Sequence, residues 1–194
     1  TDQYGTTPEN RVRAPSSTDH TYGSPNAPVK IIEFSDLECP FCKRFHTTMH
    51  QVMDEYGANN QVAWIYRHFP LQQLHPNATA AAIASECINE QAGNAAFWKF
   101  TDILATYQTR KGTSINELTA IARTLKINTK TFTSCLLSDR YTNHINNEIQ
   151  DGTTSGIYGT PTSIIIGRKG KIQLIFGSQS YSQIKPMIDS ALAE

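Results

Sequence analysis

The chain has 194 residues, of which 39% are hydrophobic and 18% charged, with 17 basic side chains against 17 acidic ones. That length accommodates one domain with a full core, or one domain carrying a sizeable insertion, and makes two independent domains unexpected. Zero net charge supplies no field to recruit nucleic acid or anionic lipid, so no nucleic-acid partner is expected, and no apolar run approaches the roughly 18 residues that span a bilayer.

Residues 1–18 are rich in Thr, Ser, Pro and Asn and lack apolar periodicity, so a flexible N-terminal tether is expected there. The first residues, Thr1 to Asn10, lack the basic and apolar regions of a signal peptide, which leaves a cytosolic protein or one whose targeting segment has been removed. His20 to Gly23 reads as a short edge strand, followed by a turn over Gly23 to Pro28. Val29 to Ser35 reads as a buried strand, apolar on both faces except at Glu33.

From Pro40 the period becomes helical, with Phe41, Phe45, Met49, Val52, Met53 and Tyr56 at three- and four-residue spacing and Gly57 as a stop. Gln61 to Phe69 follows as a second strand. Strand, helix and strand in so short a span make a βαβ unit with parallel strands.

Residues 77–156 carry five helical stripes. Ala80, Ile83, Ala84, Cys87 and Ile88 form one; Phe97, Phe100, Leu104 and Tyr107 form the next; Ser114 and Glu117 give a capping box before Leu118 and Ile121. Phe132, Cys135 and Leu136 mark a short helix, and Tyr141, Ile145 and Ile149 a longer one. The strand pattern resumes at Ser163 to Ile166 and Ile172 to Phe176 across a Gly167-Arg168-Lys169-Gly170 turn, an antiparallel pair, before a last helix through Ile184, Ile188 and Leu192. The expected layout is one domain over 19–76 and 157–194 with a helical insertion over 77–156.

Chemistry concentrates at Cys39-Pro40-Phe41-Cys42, where the first long strand runs into its helix. Cysteines three apart at a helix start have Cα atoms about 5 Å apart, close enough to open and close a disulfide with little backbone motion. Cys39 faces the unpaired N–H groups and positive dipole end of the helix, which favour thiolate, so Cys39 is the expected nucleophile and Cys42 the resolving thiol. Asp36 and Glu38 oppose the anion, whereas Lys43 and Arg44 favour it. A zinc half-site needs two more ligands at suitable spacing. Cys87 and Cys135 stand alone on apolar stripes, and His46 and His50 share the helix of the dithiol, so no metal is expected.

The run Glu33-Phe34-Ser35-Asp36-Leu37-Glu38-Cys39-Pro40-Phe41-Cys42, followed far downstream by Gly159-Thr160-Pro161-Thr162, resembles the DsbA-like branch of the thioredoxin superfamily. The resemblance runs from about residue 20 to the end. It implies an α/β thioredoxin fold, a mixed sheet built from βαβ and ββα units, with the helical block inserted. It also implies a cis Pro161 beside the dithiol, with the Thr160 backbone pairing a bound substrate strand and Pro40 and Phe41 at the substrate surface. Glu33 becomes the buried acid that exchanges protons with Cys42; independently, a carboxylate in an apolar strand is costly unless paired or shifted in pKa. Phe41 stands where the best-known oxidases of the branch carry histidine, which removes a cation next to Cys39.

Cys87 and Cys135 read as two buried thiols, or, as in some relatives of this branch, as a structural disulfide across the insertion; the disulfide is the expectation. His46 is expected to be an exposed helical residue, and His68 and His75 to make structural hydrogen bonds near the rim of the site. Phe41, Phe45, Phe69 and Tyr158 are candidates for an apolar surface around the dithiol.

The function implied is an extracytoplasmic thiol-disulfide oxidoreductase of the periplasm or cell envelope, tethered through a segment preceding this sequence and using no cofactor beyond the Cys39–Cys42 disulfide. Its partners are unfolded or reduced exported proteins and a membrane or soluble redox partner that reoxidises it. An isomerase or reductase is the alternative within the same chemistry. Dedicated isomerases of the superfamily generally add an N-terminal dimerisation domain, and the roughly 28 residues before the first long strand are too few for one, so a monomer is expected. A client-binding holdase with merely structural cysteines is the alternative outside it.

Overall fold

The computed structural model describes residues 8–107 and 112–194. Its five strands are β1 (His20–Tyr22), β2 (Val29–Ser35), β3 (Val62–His68), β4 (Thr162–Ile166) and β5 (Ile172–Phe176), arranged in the order β1-β3-β2-β4-β5. β2 and β3 are parallel, in register from Val29 opposite Val62 to Ser35 opposite His68, and the other three pairings are antiparallel. The helix α1 (Pro40–Val52) makes the crossover between β2 and β3, ending in a π turn over Met53–Gly57. Among the described residues five helices separate β3 from β4: α2 (Ala78–Ala92), α3 (Asn94–Thr106), α4 (Ile115–Thr124), α5 (Thr129–Leu136) and α6 (Thr142–Thr154). The last helix, α7 (Tyr181–Leu192), begins at a capping box of Ser180 and Gln183, so Pro186 sits inside it. This mixed sheet with its helical block is the thioredoxin-type fold read from the sequence.

The sheet separates two apolar cores because strand side chains alternate in direction. Ile31, Trp64, Tyr66, Ile165 and Ile175 face α1, α7 and the helical block, where Phe45, Met49, Phe97, Phe100, Phe132 and Ile188 are fully buried. Ile32, Phe34, Ile65 and Ile164 face the other way, covered by Phe69, Ile157 and the partly buried Val12 and Ile149. Gly152 of α6 makes that second contact close: a Cβ there would stand 2.8 Å from Phe69 ring carbons and 2.9 Å from Phe34. The disulfide Cys87–Cys135 joins α2 to α5 across 48 residues. No helix among the described residues is long and apolar enough to cross a membrane.

The N-terminal segment departs from the expected tether. Residues 1–7 lie outside the described residues, but Pro8–Arg11 forms a 3-10 turn packed on α6 and β5. The reason is Arg67, fully buried in β3. Its guanidinium needs acceptors, and it takes Asp19 through Nε at 2.7 Å, Asp151 of α6 through Nη1 at 2.7 Å, and the carbonyl of Arg13 at 2.8 Å. The Arg13 N–H also donates to Asp151 at 2.8 Å. A segment with almost no apolar residues is thus docked by a buried cation, a contact to which hydrophobic periodicity is blind.

Candidate active site

Cys39 occupies the N-cap position of α1, with extended backbone (φ −69°, ψ 123°) and no side-chain cap, and Pro40 fills the first turn, where its missing N–H goes unneeded. The first turn is closed by Lys43 N–H on the Cys39 carbonyl at 3.0 Å. Both cysteines are buried and are not bridged to each other. The Cys39 thiol points across 121 positions of sequence to the Thr160 carbonyl, 3.5 Å away, and the Thr160–Pro161 peptide is cis. Cys42 Sγ accepts the Asp36 backbone N–H at 3.5 Å.

The two thiols differ sharply. A hydrogen bond from the Cys42 thiol is the largest influence on Cys39, and with backbone N–H groups and the Thr160 side chain it holds that thiol down to about 6 against the opposing effect of burial. Burial, reinforced by Cys39, pushes Cys42 well above its ordinary value. An exchangeable pair with one thiolate and one thiol near neutral pH is the result.

Glu33 lies in the middle of β2 on the same sheet face, fully enclosed, and burial pushes its carboxyl up to about 7. The one donor that reaches it from β3 is the Trp64 indole, whose N–H meets Oε2 at 2.9 Å. Tyr66, the register partner of Glu33, is also buried, and among the described residues its hydroxyl has no hydrogen-bond partner. A cavity of about 10 Å³, the lower bound for one water, lies between Cys42, Ser35, Tyr66, His46 and Thr101.

Neighbouring charges are committed elsewhere. Asp36 accepts the N–H groups of Glu38 and Leu71 and sits 2.8 Å from His75 Nδ1. The Glu38 carboxylate caps the Thr113 N–H at 3.0 Å, and Lys43 Nζ donates to the Tyr107 carbonyl at 2.9 Å. Arg44 lies over the Phe41 ring, 5.2 Å from its centroid. Glu38 and Lys43 therefore fasten the dithiol to the helical block, and the thiolate is held by Cys42, backbone N–H groups and the Thr160 side chain.

Several expectations change. His46 is buried rather than exposed: its Nε2 lies 2.7 Å from Asp102 of α3, which His50 shares at 2.8 Å, and its ring packs edge-on against Trp64. Of the four aromatics proposed for an apolar rim, Phe45 and Phe69 are core, whereas Phe41 and Tyr158 are 54% and 80% exposed. His68 lies away from the rim, buried against Glu86. Trp64 and Tyr66 were missed as site residues. Their signal was available: in a parallel pair they alternate onto the face that carries Glu33.

A family profile described as thioredoxin matches residues 15–190. Among solved structures the chain is similar to alpha-DsbA1 of Wolbachia pipientis, with a TM-score of 0.81 at 22% identity over 94% of this chain and 95% of that one. It is also similar to oxidised BdbD of Bacillus subtilis (TM-score 0.80, 22% identity, 94% and 98% covered) and to DsbA2 of Pseudomonas aeruginosa (0.77, 25%, 93% and 98%). Curated relatives include a protein named Na(+)/H(+) antiporter NhaA 3 in Salinispora tropica, 31% identical over 151 residues, and NhaA 1 in Salinispora arenicola, 28% identical over 175. These matches take in 78% and 90% of this chain but span only 22% and 25% of those proteins.

Proposed function

The chain belongs to the thioredoxin superfamily as a DsbA-like thiol-disulfide oxidoreductase, and on that premise we propose that it is an extracytoplasmic oxidase that donates its Cys39–Cys42 disulfide to exported proteins. The observation that supports the exchange chemistry is the inequality of the two thiols, with Cys39 held down to about 6 and Cys42 pushed well up. A stabilised Cys39 thiolate stabilises the reduced enzyme, which makes its disulfide a better oxidant.

A client thiolate attacks the Cys39 sulfur of the oxidised enzyme. The Cys39–Cys42 bond breaks, its electron pair leaves on Cys42, and Cys42 takes a proton from the Glu33 carboxyl, which at about 7 is still partly protonated at neutral pH. A second client thiolate then attacks the client sulfur of the mixed disulfide and expels Cys39 as the better leaving group. Two electrons pass from the client dithiol to the enzyme, and a membrane quinone-linked protein or a soluble disulfide must take them away. The exposed Phe41 and Tyr158 offer apolar contact to an unfolded client, and the Thr160 backbone, beside Cys39, offers it a strand to pair with.

Refolding of reduced, denatured ribonuclease tests the activity: the wild type should restore it and Cys39→Ala should not, whereas retention of full effect by Cys39→Ala points to a holdase. Equilibration with glutathione tests the direction. A strongly oxidising potential supports the oxidase, and one near or below that of thioredoxin overturns it in favour of a reductase.

A further inference from the structure

Away from the dithiol, polar groups from four elements converge where the edge of the sheet meets the helical block. His20 of β1 and His68 at the end of β3 both bring Nε2 to Glu86 Oε1 of α2, at 2.7 and 3.0 Å, and all three residues are buried. These three atoms lie within 4.8 Å of one another. His144 of α6 brings its Nε2 to 3.6 Å from the same Glu86 oxygen and 3.5 Å from Glu148 Oε1. Glu148 is 1% exposed, and its Oε2 accepts the backbone N–H of His68 at 2.6 Å. Among the described residues its Oε1 has no hydrogen-bond partner, and neither has His144 Nε2.

Hydrogen bonding accounts poorly for this set. One carboxylate oxygen faces three imidazole nitrogens, while a second buried carboxylate oxygen is left unsatisfied, which buried polar groups rarely tolerate. A cation at the centre satisfies both. Three imidazoles with carboxylate oxygen form a donor set for zinc-class transition ions rather than for calcium or magnesium, which take oxygen. Ligands at about 2.0–2.1 Å from a tetrahedral zinc stand roughly 3.3 Å apart; the nitrogen-to-oxygen separations here straddle that value, and His144, which lies outside the mutual 4.8 Å of the other three, would move inward to complete the set. The His20 ring is already held, stacked on Phe97 with centroids 3.5 Å apart. A groove of about 400 Å³ lined by Asp19, His20, Glu86, Tyr141 and His144 gives an ion a way in.

We propose that His20, His68, Glu86 and His144 bind one divalent transition-metal ion of the zinc class, with the free oxygen of Glu148 beside it. The ion pins β1, β3, α2 and α6 together, and so clamps the sheet to its helical insertion. Because the site uses no cysteine, the spacing of the thiols gave no hint of it, and it stands independently of the redox chemistry.

The test uses the full chain without a histidine tag, its Cys39–Cys42 pair oxidised so that no thiolate competes. After treatment with chelator it is titrated with Zn²⁺ by calorimetry and with Co²⁺ by visible absorption. One equivalent should bind, with the strong absorption of tetrahedral cobalt and a higher melting temperature in the presence of Zn²⁺. His20→Ala and the half-exposed His144→Ala should each weaken binding tenfold or more, since even outer-shell partners are worth about 10–100-fold. His50→Ala, in the separate His46–His50–Asp102 group, should leave affinity unchanged. If folded wild type binds no metal, if both variants bind as wild type does, or if His50→Ala abolishes binding, the proposal is overturned; should a variant fail to fold, the wild-type stoichiometry and cobalt spectrum still decide.

Discussion

The Trp64 indole N–H donates to Glu33 Oε2 at 2.9 Å, so the enclosed carboxyl on β2 is oriented by the neighbouring parallel strand. That bond favours the charged carboxylate, but burial outweighs it and sets the carboxyl at about 7. Glu33 can therefore hold or release a proton within the range in which the dithiol works.

A pH dependence of stability follows. Glu33 has a folded value of about 7 against 4.5 for the free side chain, so its contribution is fully present below about pH 4.5 and is lost as pH rises through about 7. The loss is on the order of 3 kcal/mol. Urea unfolding of the oxidised protein, in which neither active-site thiol titrates and the Cys39 charge no longer adds to the effect of burial, should show Glu33→Gln gaining on the wild type by somewhat less than that amount between pH 4.5 and 8. The same variant should slow thiol-disulfide exchange while remaining folded. Equal exchange rates in the two proteins would refute the proton-handling role.

Iodoacetamide alkylation of reduced protein should report Cys39 with a midpoint near pH 6, because the Cys42 thiol is its strongest stabilising partner. In Cys42→Ala that partner is gone, and the midpoint should move up towards an ordinary thiol. A midpoint unmoved by the substitution would assign the lowered value to the helix terminus and Thr160 alone.

Cys87–Cys135 closes a loop of 48 residues. On the chain-entropy relation this contributes about 4 kcal/mol. Denaturant unfolding of the Cys87→Ala, Cys135→Ala double variant should show a loss of that order, while the alkylation midpoint of Cys39 stays where it is. A shift in that midpoint would mean that the bridge also shapes the active site.

Gly152 sits inside α6, where alanine is ordinarily better than glycine by about 1 kcal/mol. Here the added Cβ meets the rings of Phe69 and Phe34 at 2.8 and 2.9 Å, and overpacking of that kind costs about 1–3 kcal/mol. Gly152→Ala should therefore lower stability in denaturant melts, although helix propensity alone predicts the reverse.

Local and periodic features were legible in the sequence. Strand alternation, the change to a helical period at Pro40, the Ser114–Glu117 box and the five stripes between the strands all depend on neighbours a few residues apart. So does much of the chemistry of Cys39 and Cys42, which the helix start and their own pairing create. Other relationships were settled only by the tertiary fold. It brings the Thr160 carbonyl to Cys39, the Trp64 indole to Glu33 and Asp102 to His46, and it gathers His20, His68, Glu86 and His144 around one oxygen. It also docks the polar stretch around Arg13 on the buried Arg67. Periodicity tells which residues turn inward, whereas a polar side chain's role depends on which distant partner the folded chain puts within three ångströms of it.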